Sequence, residues 1–159
     1  MKWCVFVLSP LLLLIATSAA ALCAADRVDL RGDWGAATFK VELALTPGDQ
    51  ARGLMHRHEL PRNGGMLFIF DSPRTARFWM KNTFIPLDIL FFDLQGVLVD
   101  LKENAEPLSH RIIVSETEIV AVLEINGGLA DQYGINKGSL IRHSLLSHPD
   151  SAWPCPGNE

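Results

Sequence analysis

The feature that most constrains this chain is a set of short apolar runs cut apart by turn residues. Residues 66–70 read MLFIF, with apolar side chains on both faces. Such a run fits a central strand covered on both sides. Residues 117–125, TEIVAVLEI, read as another strong strand. Residues 88–93 and 97–102 flank Leu94-Gln95-Gly96, a plausible hairpin loop. In residues 38–45, TFKVELAL, Phe39, Val41, Leu43 and Leu45 share one face, with Lys40 and Glu42 on the other. That alternation predicts a half-buried strand. Asn63-Gly64-Gly65, Asp71-Ser72-Pro73 and Asn126-Gly127-Gly128 punctuate the series.

Helical signals are few. Thr46-Pro47-Gly48-Asp49 reads as a helix start, with Thr46 as cap and Asp49 at the capping-box spacing. The pattern predicts a helix ending near His58, before Leu60-Pro61, with Gly53 inside it for a close approach. A second short helix is expected over 129–133, stopped by Gly134. A strand is expected over 75–83, a long polar loop over 103–116, and a last strand over 139–142. Six or seven strands, two short helices and no βαβ alternation give an α+β class. The sheet should be mostly antiparallel and strongly curled or barrel-like.

The first 21 residues resemble a secretory leader: Lys2, an apolar run over 3–16 and small residues up to Ala21. The expected organisation is therefore a signal peptide over 1–21, an N-terminal extension over 22–37, one domain over 38–142 and a polar tail over 143–159. The expected location is periplasmic or extracellular. Removing Lys2 with the leader shifts the formal net charge from −4 to −5. A mildly acidic chain with no cluster of Lys and Arg is a poor nucleic-acid binder. No other apolar stretch reaches spanning length, so no stable membrane insertion is expected after cleavage. Cys23 and Cys155 could form a disulfide in an oxidising compartment, but the preferred reading leaves both in loose termini.

The runs ARGLMHRHELPRNGGMLFIFDSPRTARFWMKNTFIPLDILFFD (51–93) and LEINGGLADQYGINKGS (123–139) closely resemble the DUF192 family. The likeness extends over about 38–142. It implies a compact, mainly β domain with a flanking helix, often exported, and no established activity. The family's second motif usually ends Gly-Asp; here Gly138-Ser139 stands instead.

The candidate site comes from polar residues lodged in apolar surroundings. Trp79, Lys81, Asn82, Thr83 and Asp88 interrupt FWMKNTFIPLDILFFD. They could pin a corner, with Asp88 accepting backbone amides near Asn82-Thr83. They could also rim a pocket. Arg52 could clamp a carboxylate, with Asp88 and Glu124 as partners. Glu124 follows Val120 and Val122 along one strand face, an odd place for a charge.

The leading expectation is a non-catalytic accessory protein binding a small ligand or envelope polymer. Arg52 and Lys81 would hold it, Trp79 would stack on it, and Asn82, Thr83 and Asp88 would orient it beside Glu124. The alternatives are a hydrolase using Asp88 and Glu124 as acid and base, and a copper handler using Met55, Met66 and Met80 with His56 and His58. Neither a cofactor motif nor a zinc spacing is present, and Gly127-Gly128 is only a weak phosphate signal.

Overall fold

The structure is a computed structural model, and it describes residues 23–156. The reading of 1–21 as a leader lies outside those residues. Nine strands form: β1 (Arg27–Gly32), β2 (Gly35–Ala44), β3 (Gly64–Arg74), β4 (Arg77–Phe78), β5 (Leu87–Phe92), β6 (Leu98–Ala105), β7 (Ile113–Val114), β8 (Ile119–Asn126) and β9 (Leu140–Arg142). The helices are α1 (Pro47–Arg52) and α2 (Leu129–Tyr133), followed by a 3-10 turn at Ser144–Leu146. None of the described helices is long and apolar enough to cross a membrane.

Seven strands make one sheet in the order β6-β5-β8-β3-β2-β1-β9, and β4 pairs with β7 as a separate ribbon. Every pairing is antiparallel except β2 with β3. The sheet curls until its two edges meet: Val97, just before β6, bridges Leu140 of β9. The curled, mostly antiparallel sheet with two short helices agrees with the expectation.

The curl creates two cores, one on each face. The inner one gathers Val28, Leu30, Phe39, Leu67, Leu90, Phe92, Leu123 and Ile141, and α2 closes it with Leu129 and Ala130. The outer one gathers Leu54, Met66, Phe68, Met80, Ile89, Phe91 and Val122, covered by the α1 end and the β4–β7 ribbon. MLFIF divides as its alternation requires, Leu67 inward and Met66 and Phe68 outward.

Several boundaries differ from the sequence reading. The extension over 22–37 contributes β1, whose Val28 and Leu30 are fully buried. Helix α1 stops at Arg52, because Gly53 takes φ 48, ψ −135, a conformation closed to residues with a Cβ. The strand expected over 75–83 ends at Phe78; Asn82 sits at φ 56 and Thr83 N donates to Met80 O. The loop expected over 103–116 is shorter, since β6 runs to Ala105 and β7 forms at Ile113–Val114.

The described part of the tail, residues 143–156, is not loose. Cys23 and Cys155 form a disulfide across 132 residues of sequence. Trp153 lies under the guanidinium groups of Arg31 and Arg142, each 4.3 Å from its ring centre. Arg142 also bonds Asp29 at 2.9 Å, and the ring of His143 contacts Ala25 O at 3.0 Å. These contacts anchor both ends to the edge of the sheet at β1 and β9. A loop of this length costs the unfolded chain much freedom when closed. Cys155→Ser is expected to lower stability by about 2–4 kcal/mol. Urea unfolding of the variant beside the parent measures it, and equal midpoints would show that the cross-link adds nothing.

Candidate functional site

Glu124 is the central residue. On β8 it lies between Met66 of β3 and Ile89 of β5, its register partners. Its face of the sheet is the outer core. A Cβ on Gly53 would find ordinary contact, 3.4 Å from the Phe68 ring and 3.9 Å from Glu124 Oε2, so the glycine is required by its backbone conformation rather than by the close approach expected from the sequence. Glu124 is only 5% exposed, and among the described residues no hydrogen bond or ion pair engages its carboxyl. Burial pushes that carboxyl up to about 8, so it is mostly protonated at neutral pH.

A cavity of about 330 Å³ opens over it. Leu54, Phe68, Phe70, Phe78 and Trp79 give apolar walls, with Phe68 and Phe78 packed edge to face at 5.1 Å. Gln50, Thr75 and Thr83 add polar groups, and Arg52, Arg74 and Arg77 line it too. Small-molecule pockets commonly combine a mostly apolar lining with a few polar groups and occupy about 300–1,000 Å³. This one lies at the small end of that range.

The sequence candidates divide. Arg52, Trp79, Thr83 and Glu124 line the cavity; Lys81, Asn82 and Asp88 do not. Arg52 clamps neither Asp88 nor Glu124. It pairs with Asp49 one helical turn away, at 3.1 Å, on an exposed surface where such a bond stabilises little. Lys81 lies over the Trp79 ring at 5.0 Å, and Asn82 O accepts from His56 N at 2.7 Å.

Asp88 is fully buried on the inner face. Its Oδ1 accepts from Asn104 N (2.8 Å) and Gly128 N (3.0 Å), and its Oδ2 from Ala130 N (2.7 Å). It ties β6 to the start of α2, and not the Asn82-Thr83 corner that the duller expectation gave it. Those bonds occupy the amides that a phosphate before α2 would need. Gly127 is required here by space, since a Cβ would meet Pro86 at 2.9 Å and Asn104 at 3.0 Å.

Asp88 and Glu124 cannot act as one acid–base pair. Asp88 is opposite Ile125, and Glu124 is opposite Ile89. Neighbouring residues of a strand face opposite ways, so the two carboxyls lie on opposite faces of the sheet. Of the copper set, Met66 and Met80 lie buried in the outer core, and His56 and His58 pack against Phe84, with ring centres 6.1 and 4.8 Å apart. Among the described residues no group of three His, Cys, Asp or Glu is placed to hold a metal.

Sequence reading missed Arg74, Arg77, Phe68 and Phe78 as lining residues. The two arginines flank a turn, and nothing local signals that the turn folds over β8. Ser139, in the place of the family's acid, is buried; its Oγ accepts from Trp34 Nε1 at 2.9 Å and donates to Asn136 O at 2.7 Å. It closes the loop before β9 and lies outside the cavity.

The DUF192 family, described as Uncharacterized ACR, matches residues 28–143. The chain belongs to the DUF192 family. A crystal structure of a protein of unknown function from Novosphingobium aromaticivorans DSM 12444 is 43% identical, with a TM-score of 0.71. The match covers 72% of this chain and 82% of that one. A proposed transcription regulator from Sinorhizobium meliloti 1021 is 38% identical with a TM-score of 0.71, over 76% and 94% of the two chains. No curated protein matches the sequence. The DUF192 motif R-G-L-M, residues 52–55, is the stretch that ends α1 and lines the cavity beside Glu124.

Proposed function

We propose that this DUF192 protein is an exported binding module that takes a small organic ligand in the cavity over Glu124. One observation carries the reading. Glu124, 5% exposed and with no partner for its carboxyl among the described residues, forms the floor of an open, aromatic-walled cavity. A carboxyl with no protein partner turned to a cavity leaves its hydrogen-bonding capacity for a ligand group. Export is supported by the leader-like first 21 residues and by a disulfide between the chain ends, which suits an oxidising compartment. An envelope polymer would have to present a small side group to the cavity. The placement of Asp88 and Glu124 on opposite faces weighs against a two-carboxylate hydrolase.

The test is an NMR titration with a panel of sugars, short peptides, cell-wall fragments and small organic acids. Ligands that bind should perturb the amides of Gly53, Phe68, Phe78 and Glu124 together. Glu124→Leu, which removes the polar floor without emptying it, should weaken them about tenfold, the value of one net hydrogen bond. Perturbations gathered elsewhere, or indifference to Glu124→Leu, would move the function away from this cavity.

A further inference from the structure

Resting on the cavity over Glu124 as the binding site, we infer that its ligand is a small organic anion with an apolar body. The anionic group sits at the mouth between Arg74 and Arg77, and the body lies against Phe68 and Phe78.

The charges lining the cavity argue for this. In a chain of net charge −4, the lining holds three arginines and a single acid, Glu124. Arg52 is paired with Asp49. Arg74 and Arg77 make no ion pair among the described residues, and Arg74 merely lies over the Phe70 ring at 5.5 Å. Two guanidinium groups without an ion-pair partner among the described residues, beside an aromatic-walled cavity, are suited to a carboxylate or phosphate.

The backbone between these arginines is held by a buried clip. Between them, Ala76 N donates to Ser115 Oγ at 2.9 Å, and Ala76 O accepts from Ser115 N at 3.0 Å. Ser115 is 3% exposed and donates its own proton to Thr117 O at 2.8 Å. Arg77 then enters β4, paired with Val114. The backbone carrying both arginines is thus tied to β7, and little ordering of that backbone remains to be done on binding.

Glu124 fits the same ligand. The elements packed around its carboxyl present Met66, Phe68, Ile89 and Gly53, none of them titratable, and the charged groups of the cavity are Arg52, Arg74 and Arg77. A protonated carboxyl does not repel an anion and can donate to a polar atom of it. A cationic ligand would meet the arginines first. It would also find the Trp79 ring already carrying Lys81.

Three probes with one carbon skeleton separate the possibilities: 3-phenylpropanoate, 3-phenylpropanol and 3-phenylpropylamine. NMR titration at pH 6.5 should show the anion binding at least tenfold tighter than the alcohol, and the amine weakest. Arg74→Gln with Arg77→Gln should bring the anion to the alcohol's affinity and leave the alcohol unchanged. Both side chains are exposed, and a thermal melt confirms that this variant is folded. Glu124→Gln, which cannot ionise, should abolish the loss of anion affinity expected as pH rises above 8. If the alcohol or amine perturbs the cavity at least as strongly as the anion, the charge assignment is wrong and the cavity remains a binding site. If none of the three perturbs it at millimolar concentration, the cavity reading fails and this inference with it.

Discussion

Asp88→Ala is expected to lower the unfolding free energy by about 4 kcal/mol, enough to consume much of the stability of a domain this size. The carboxylate accepts three backbone N–H groups from two distant segments, at 2.7–3.0 Å. Alanine orphans all three in a dry interior, and each buried unpaired donor costs about 1–3 kcal/mol. Water entering the vacated space keeps the total below the sum. Helix α2 has no side-chain cap of its own at Gly128, so Asp88 is its cap from across the sheet. Asp88→Asn should cost about half as much. One oxygen still accepts from Asn104 and Gly128, while the amide NH₂ faces the Ala130 donor. Urea unfolding of both variants checks the order. If Asp88→Ala is nearly neutral, these amides have other partners.

The contribution of Glu124 to the stability of the parent protein should fall as pH rises from about 5 to 8, and then level off. The Glu124 carboxyl is raised from 4.5 to about 8 in the folded state, through burial. The native state therefore holds this proton where the unfolded state has released it. The contribution is fully present below about pH 4.5 and is lost as pH rises through 8. At about 1.4 kcal/mol per pH unit, the loss amounts to a few kcal/mol across that window. Glu124→Gln should flatten the profile, and the difference between the two profiles removes every other titrating group. Parallel profiles would mean that Glu124 is ionised, or solvated, in the folded state.

The apolar runs made most of the sheet legible. Alternation along MLFIF and TEIVAVLEI assigns faces, and one residue per face is what two cores require. What escaped were features set by a single backbone dihedral. Gly53 ended α1 early, and Asn82 ended the strand after Phe78. Strand β1 escaped because Val28 and Leu30 alone are a weak signal between Asp26, Asp29 and Arg31. Glu124 stood out in sequence as a charge on an apolar face, and that face proved to be the cavity floor. Asp88 stood out equally, as an acid inside an apolar stretch, but nothing local reveals that its face of the sheet is covered by α2. The arginines at the mouth were missed for the complementary reason: Arg74 and Arg77 are ordinary surface residues until the chain folds back over β8. The disulfide depends on the same kind of long-range fact, since only the fold brings residue 23 beside residue 155.

The central claim is that a neutral carboxylic acid forms the floor of an open cavity. The most direct measurement is the pH titration of the Glu124 side-chain carboxyl by ¹³C NMR. A midpoint near 8 is expected, moving when a ligand enters the cavity. A midpoint in the ordinary glutamate range, indifferent to any ligand, would contradict it.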